Sequence, residues 1–353
     1  MGYKSVQRMR TRTVALETEP FNAETPLEVL RRRDITPNDS FYVRNHFTAP
    51  RIDVKTWKLS VTGAVKNALT LSLNEIMSMP RKTILATLEC AGNGRTRMQP
   101  VPASTPWGDG AVGTARWTGA TLEEILKKTQ PLDNALDILF RGTDRGIEAG
   151  SKLSFERSIL LTDALHEDTI LAYEMNGRSL PRLHGFPLRL VVPGRYGMAS
   201  VKWLAEIRVL SEPFQGYYQS DQYVYANSRN MADSPVNEIR VKSLILEPSE
   251  NGVLKSRKSS NVSGLAWSGL GRITKVEFKT HNSEWKPAQL SKVDFGSYAW
   301  RRWSITWTPK VPGRYVLMSR ASDDSGGQQP VEPVWNLRGY GYNTVTLRTV
   351  RVI

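Results

Sequence analysis

The chain contains one cysteine, Cys90, and its neighbours are those a reactive thiolate needs. It follows the strand-like run Ile-Leu-Ala-Thr-Leu-Glu at 84–89. It precedes Ala-Gly-Asn-Gly-Arg at 91–95, a turn whose glycines let backbone approach a ligand closely. Arg95 and Arg97 add positive charge nearby, which favours thiolate over thiol. A lone thiolate suits two tasks, nucleophile or ligand to a soft metal. The first needs a histidine base, and His46, His166, His184 and His281 are all distant in sequence, which leaves both readings open. A single cysteine excludes an intrachain disulfide, a zinc site built on several cysteines and a CxxCH haem attachment.

Three further segments hold the remaining unusual residues: FYVRNH at 41–46, GTARWTGA at 113–120 and HGFPLRLVVPGRYGMASVKW at 184–203. Taken singly, their members read as ordinary structure: His184 a turn histidine beside Gly185, Arg189 a strand-edge charge, Trp117 core packing. The glycines at 108, 110 and 113 have GxGxxG spacing. They follow Pro-Trp and lead into TARWTG instead of joining a strand to a helix, so a loop is expected there and not a dinucleotide site.

These segments need a scaffold, and 353 residues make two domains the sensible expectation. The apolar content of 40% with ten tryptophans is globular. No apolar run is long enough to span a membrane. The basic start MGYKSVQRMRTRT lacks the apolar stretch of a secretory signal, so a cytoplasmic protein is expected, or a periplasmic one if a leader has been removed. The net charge of +14 raises nucleic acid as a partner. The basic residues are scattered, however, and no finger or RNP motif accompanies them; a positive field that draws in small anions fits as well.

The first 230 residues mix strand and helix signals without regular alternation, an α+β pattern. LSVTGAV at 59–65 alternates like a strand, SLNE at 72–75 and TLEE at 121–124 read as capping boxes opening short helices, and LDILF, ILAYEM and LRLVV are strand candidates. Asn176-Gly177 signals a hairpin turn. From about Ala232 helix signals stop, and VKSLIL, KVEFKT, RRWSITW, RYVLMSR and TVTLRTVRVI recur between turns, which predicts an immunoglobulin-like β-sandwich. The expected domains are 1–232 and 233–353, joined through the polar stretch NSRNMADSPVNE.

ECAGNGR resembles the cysteine loop of the sulfite oxidase family, which the assimilatory nitrate reductases share. FYVRNH, TARWTGA, LAYEMNG, HGFPLR, SVKW and WNLRG follow that family's pattern in the same order, from about Pro20 to Arg338. PFNAETP at 20–26 resembles the haem-free, plant-type branch. The resemblance implies an α+β molybdopterin-binding domain followed by the β-sandwich, with dimerisation through the latter. It implies molybdopterin as cofactor, no haem, and Cys90 as the metal's protein ligand. Cofactor contacts would come from Arg44, Asn45, His46, Cys90, Asp144, His184, Arg189, Ser200, Val201 and Lys202, a set suited to a pterin with a phosphate tail. The substrate pocket would be formed by Arg44, Arg95, Trp117, Tyr223 and Arg338. Arginine forks suit a sulfur oxyanion, Trp117 would wall the pocket, and Tyr223 would offer its hydroxyl.

The implied reaction is oxygen-atom transfer to sulfite, with electrons passing to a separate acceptor such as cytochrome c or oxygen, and with neither nucleic acid nor membrane as a partner. Alternatives are a nitrate reductase-like or sulfoxide-directed enzyme on the same cofactor, or a basic anion- or nucleic-acid-binding protein in which Cys90 is merely buried. One departure stands out: GNGR replaces the GNRR of many members, so Gly94 stands where an arginine is usual.

Overall fold

The structure, a computed structural model, describes residues 12–228 and 231–353, with side chains described for 12–226 and 234–353. The basic start of the chain falls almost wholly outside the described residues, as does part of the segment chosen for the domain boundary. That segment contains a hairpin, Val224–Ser228 against Met231–Pro235.

Two five-stranded sheets build the region that precedes it. One runs Arg178–Ser179, Ile170–Met175, Val112–Thr121, Arg81–Glu89, with Arg189–Val191 also pairing Ile170–Met175. The other runs Leu69–Leu71, Leu59–Gly63, Leu204–Leu210, Asp137–Glu148, Ser151–Leu160. Helices are few, and the longest α-helix among the described residues is Leu122–Thr129. The region is therefore mostly sheet, with less helix than an α+β reading suggests.

Local signals fare unevenly. Ser72 and Glu75 close a reciprocal capping box at the helix Leu73–Met77. Thr121, which ends a ten-residue strand, caps its helix without a side-chain bond, and the Leu122 N–H donates to the Thr169 carbonyl. Asn176 and Gly177 both take positive φ and turn Ile170–Met175 back onto Arg178–Ser179, as the Asn-Gly pair predicts.

Beyond residue 240 a four-stranded sheet (Lys242–Glu247, Ser260–Trp267, Arg301–Trp307, Gln289–Leu290) packs on a five-stranded one (Gly252–Leu254, Thr346–Val352, Gly313–Asp323, Ile273–Thr280, Lys286–Pro287). Their shared core includes Ile245, Val262, Trp303, Val276, Phe278, Leu317 and Val350, with Ile305 and Trp307 packed against it. The four-stranded sheet is buried on its other face too. Leu244, Leu246, Leu265 and Trp267 join the core of the preceding region, since successive side chains along a strand point to opposite faces. Burial on both faces explains why VKSLIL reads as a nearly continuous apolar run. It also places Lys242, two residues before Leu244, toward the cysteine loop.

Candidate active site

Cys90 leaves the end of the strand Arg81–Glu89 and its backbone is held at once: its N–H donates to Ala111 O (2.9 Å) and its carbonyl accepts from Asn93 N–H (2.9 Å). Gly94 then turns the chain at φ +88°, a left-handed conformation that favours glycine, into the short turn Arg95–Arg97. Burial pushes the Cys90 thiol up, while Arg44, Arg95 and the Gly92 N–H pull it down.

Beneath this loop lies a buried polar network. Glu89 accepts from Asn93 Nδ2 (2.8 Å) and Trp267 Nε1 (2.9 Å) and pairs with Lys242 Nζ (3.3 Å), which also donates to Asn93 O (3.2 Å). Glu89 and Lys242 are both fully enclosed. Lys242 also accounts for the departure at Gly94. A Cβ there would sit 2.8 Å from the Tyr342 ring and 3.3 Å from Lys242 Nζ, so the space beside the loop is already filled, by a cation and an aromatic from the C-terminal region.

Cys90 opens on a cavity enclosing about 670 Å³, open solvent at its mouth included. Arg44, Asn45, His46, Asp144, His184, Arg189, Ser200, Lys202 and Tyr223 line it together with the cysteine. Five stretches far apart in sequence meet there. The chain through Arg44–His46 is tied down by Asn45 N–H to Asn22 Oδ1 (2.6 Å). His184 ends a short turn and its Nε2 meets Asn38 O (3.0 Å). Arg189 donates to the carbonyls of His184 (3.1 Å) and Ser200 (3.0 Å) and lies 4.8 Å over the Trp117 ring. Lys202 Nζ donates to Leu183 O (3.1 Å) and to Asn45 Oδ1.

The electrostatics are lopsided. Arg44, Arg189 and Lys202 share the cavity with one carboxylate, Asp144. Burial pushes Arg189 down to about 10, and burial with Arg189 beside it holds Lys202 well below its ordinary value. Burial also pushes Asp144 up to about 7 against the pull of Lys202. Its Oδ1 is buried without a hydrogen-bond partner, an arrangement that costs free energy unless a donor arrives. His184 is held down to about 3 and His46 to about 4, in each case first by burial and then by nearby cations. Excess buried cations beside an orphaned carboxylate oxygen suit a ligand with an anionic group at one end and N–H donors elsewhere.

Not every expected residue lines this space. Val201 is fully buried in the apolar core, and its carbonyl is taken by Leu190 N–H (2.8 Å). Trp117 has no exposed surface; it donates to Ala86 O (3.3 Å) and packs edge-on to Phe41, so it supports Arg189 from below and does not wall the cavity. Arg338 stands at an adjoining hollow, with the buried Arg95 packed behind it. Arg338, Gln222, Tyr340, Trp335 and the stretch 101–104 line that hollow, and Arg338 NH1 donates to Gln222 Oε1 (2.7 Å). Arg95 donates to Thr105 O (2.7 Å) and Arg338 O (2.9 Å) and lies 5.4 Å over the Tyr340 ring. Tyr340 in turn stacks on Tyr223 at 5.2 Å and so links the two spaces. Tyr340, Gln222, Glu89 and Lys242 are not among the residues that the sequence points to. Tyr340 directly follows WNLRG and Glu89 opens ECAGNGR, so both lie within reach of those motifs; Gln222 and Lys242 carry no local signal.

The architecture and the thiolate-and-cation cavity define a molybdopterin-binding class of oxidoreductase, and comparison agrees. Residues 46–218 match the family model "Oxidoreductase molybdopterin binding domain" and residues 233–350 the "Mo-co oxidoreductase dimerisation domain". The chain is 36% identical to mouse mitochondrial sulfite oxidase over 91% of its own length and 62% of that protein's. To the Arabidopsis thaliana sulfite oxidase it is 35% identical, over 91% and 89% of the two chains. The crystal structure of the sulfane dehydrogenase SoxCD from Paracoccus pantotrophus superposes with a TM-score of 0.83 at 25% identity, covering 94% of this chain and 85% of that one. The chain belongs to the sulfite oxidase family.

Proposed function

We propose that this chain is a molybdenum-dependent enzyme that oxidises sulfite to sulfate and passes the electrons to a separate acceptor. The observation that carries this reading is the single cavity in which Cys90 shares its walls with Arg44, Arg189, Lys202 and the orphaned Asp144 oxygen, adjoining a hollow bearing Arg338. Cys90 would hold the metal of molybdopterin. Asn45, His184, Arg189, Ser200 and Lys202 would hold its polar and anionic parts, and Asp144 Oδ1 would accept from a ring N–H. When bound, the group supplies a metal able to give an oxygen atom to sulfur and take two electrons.

The protein's own part in that reaction is positional and electrostatic. Arg95, its guanidinium plane fixed by two carbonyls, has its NH2 along Gly92 in the cysteine loop. With Arg338 and Arg44 it would neutralise and orient an oxyanion near Cys90. The net charge of +14 would draw that anion inward. An unchanged salt dependence of the second-order rate after surface lysines are reversed in charge would sink that last idea. We further assign residues 1–232 to the cofactor domain and 233–353 to an immunoglobulin-like sandwich through which two copies pair.

The direct test is steady-state reduction of ferricyanide by sulfite with molybdenum-loaded protein, run beside nitrate with a reduced dye. Sulfite turnover is expected. Nitrate turnover without it would transfer the function to a reductase like the Hordeum vulgare nitrate reductase, which is 33% identical over 91% of this chain.

Lys202 gives a second test that needs no turnover. An anion bound beside it raises the Lys202 pKa from its depressed value, so cofactor binding takes up protons at any pH between the depressed and the restored pKa. Affinity accordingly falls as pH rises. Calorimetry in two buffers of different ionisation enthalpy reads the uptake, and Lys202→Met abolishes it. Binding without proton uptake would remove Lys202 from the anion site.

A further inference from the structure

Tyr223 reaches the cavity wall but its hydroxyl is not free. His46 Nε2 lies 2.8 Å from it, and His46 Nδ1 lies 3.2 Å from Glu148 Oε2 on the opposite side of the ring. Glu148 ends the strand Asp137–Glu148, and its side chain is 27% exposed. Tyr218 donates to the same carboxylate oxygen at 2.5 Å and so fixes it. The His46 ring is clamped between Phe155, stacked at 5.2 Å, and Tyr218 at 4.6 Å. Arg44 NH2 sits within hydrogen-bond distance, 3.2 Å, of both ring nitrogens, and as a donor it can serve only the one that carries no hydrogen.

A carboxylate accepts hydrogen bonds and cannot donate them. The nitrogen facing Glu148 must therefore carry the imidazole hydrogen. Burial keeps His46 neutral at ordinary pH, so only one ring nitrogen has a hydrogen. That leaves Nε2 as an acceptor, and the Tyr223 hydroxyl must donate to it. The side of Tyr223 that meets the cavity is then a lone pair.

We infer that Glu148 is a positioning residue which, through the tautomer of His46, makes Tyr223 a hydrogen-bond acceptor toward the cavity. This reverses the role expected from the sequence, in which Tyr223 offers its hydroxyl to the substrate. A bare sulfite or sulfate oxygen gains nothing from such a group, whereas a water molecule does. The inference rests on the proposed reaction for its purpose: sulfite and one water give sulfate, two protons and two electrons, the electrons leaving to the separate acceptor. The water breaks two O–H bonds as its oxygen is incorporated, and Tyr223 holds that water by accepting one of its hydrogens.

The tautomer is testable without cofactor or activity. Nitrogen-15 NMR of histidine-labelled, cofactor-free protein should show His46 protonated at Nδ1 in the wild type and in Glu148→Asp. Glu148→Leu removes the acceptor that faces Nδ1, and the preference for hydrogen at that nitrogen should be lost. An Nε2-protonated wild type, or a Leu variant with unchanged tautomer, would overturn the inference. In the loaded enzyme, rapid-mixing kinetics should show Glu148→Leu slowing the water-consuming oxidative half-reaction by about tenfold, the loss of one oriented hydrogen bond. Reduction by sulfite should slow less, and Glu148→Asp should restore most of the rate. Equal slowing of both halves would overturn the assignment to water. A wild type that does not oxidise sulfite would refute the proposed reaction while leaving the NMR result standing.

Discussion

Cys90→Ser is expected to abolish sulfite-dependent ferricyanide reduction, by at least about a thousandfold, on the scale of losing about 4 kcal/mol of barrier lowering. Wild-type protein from a host able to make the cofactor should carry stoichiometric molybdenum by elemental analysis. A thiolate is a soft, strongly donating ligand, and the serine alkoxide that would replace it is hard and far more basic. The substitution is nearly isosteric, so the loop, which is held through the backbone bonds of Cys90 to Ala111 and Asn93, should keep its shape. Circular dichroism and unfolding midpoint should therefore match wild type, which separates loss of ligand from loss of fold. Retained activity with the serine in place would remove Cys90 from the centre. Wild-type protein without molybdenum from such a host would remove the centre itself.

Lys242→Met strikes the same loop from the C-terminal region. The substitution keeps the length of the side chain and removes its charge, and it strands Glu89, which is 2% exposed. Breaking a buried pair from one side costs about 3–5 kcal/mol, because the remaining charge stays desolvated. Asn93 O and Glu89 Oε1 also each lose the donor that Lys242 supplies. Denaturant unfolding of the cofactor-free protein should show the loss. Glu89→Gln added to Lys242→Met should recover part of it, since the amide carries no charge and its one carbonyl oxygen can keep the bond to Trp267 or to Asn93. A single variant as stable as wild type, or a double variant no better than the single, would show that the pair does not hold the loop. The expected functional consequence is weaker molybdenum retention, read as metal lost on dialysis.

Much of this molecule was legible because its signals are local. Alternation within RRWSITW is enough to put Trp303, Ile305 and Trp307 on one face, and the pleat of any strand there would do the same. Asn176-Gly177 specifies its turn because few other residues take positive φ in succession. Ser72 and Glu75 are three residues apart and meet without outside help. Thr121 and Glu124 have the same spacing, but Thr121 ends a paired strand and makes no side-chain cap bond. Position on a segment likewise did not determine direction. Val201 stands between two cavity-lining residues and Trp117 in a segment the sequence singles out, yet both side chains turn into the core.

The sequence by itself determined the chemistry available: one thiolate, a set of arginines and lysines, and the order of segments that marks the family. Tertiary structure decided which of them act together and in what state. Glu89 meets Lys242 across 153 residues, and His46 meets Glu148 across 102 and Tyr223 across 177. No periodicity or motif spans such separations. Charge state and hydrogen-bond direction are equally non-local: they depend on how much water is excluded and which acceptor lies opposite. The same histidine in a solvated loop would exchange tautomers freely; between Glu148 and Tyr223 it can hold only one.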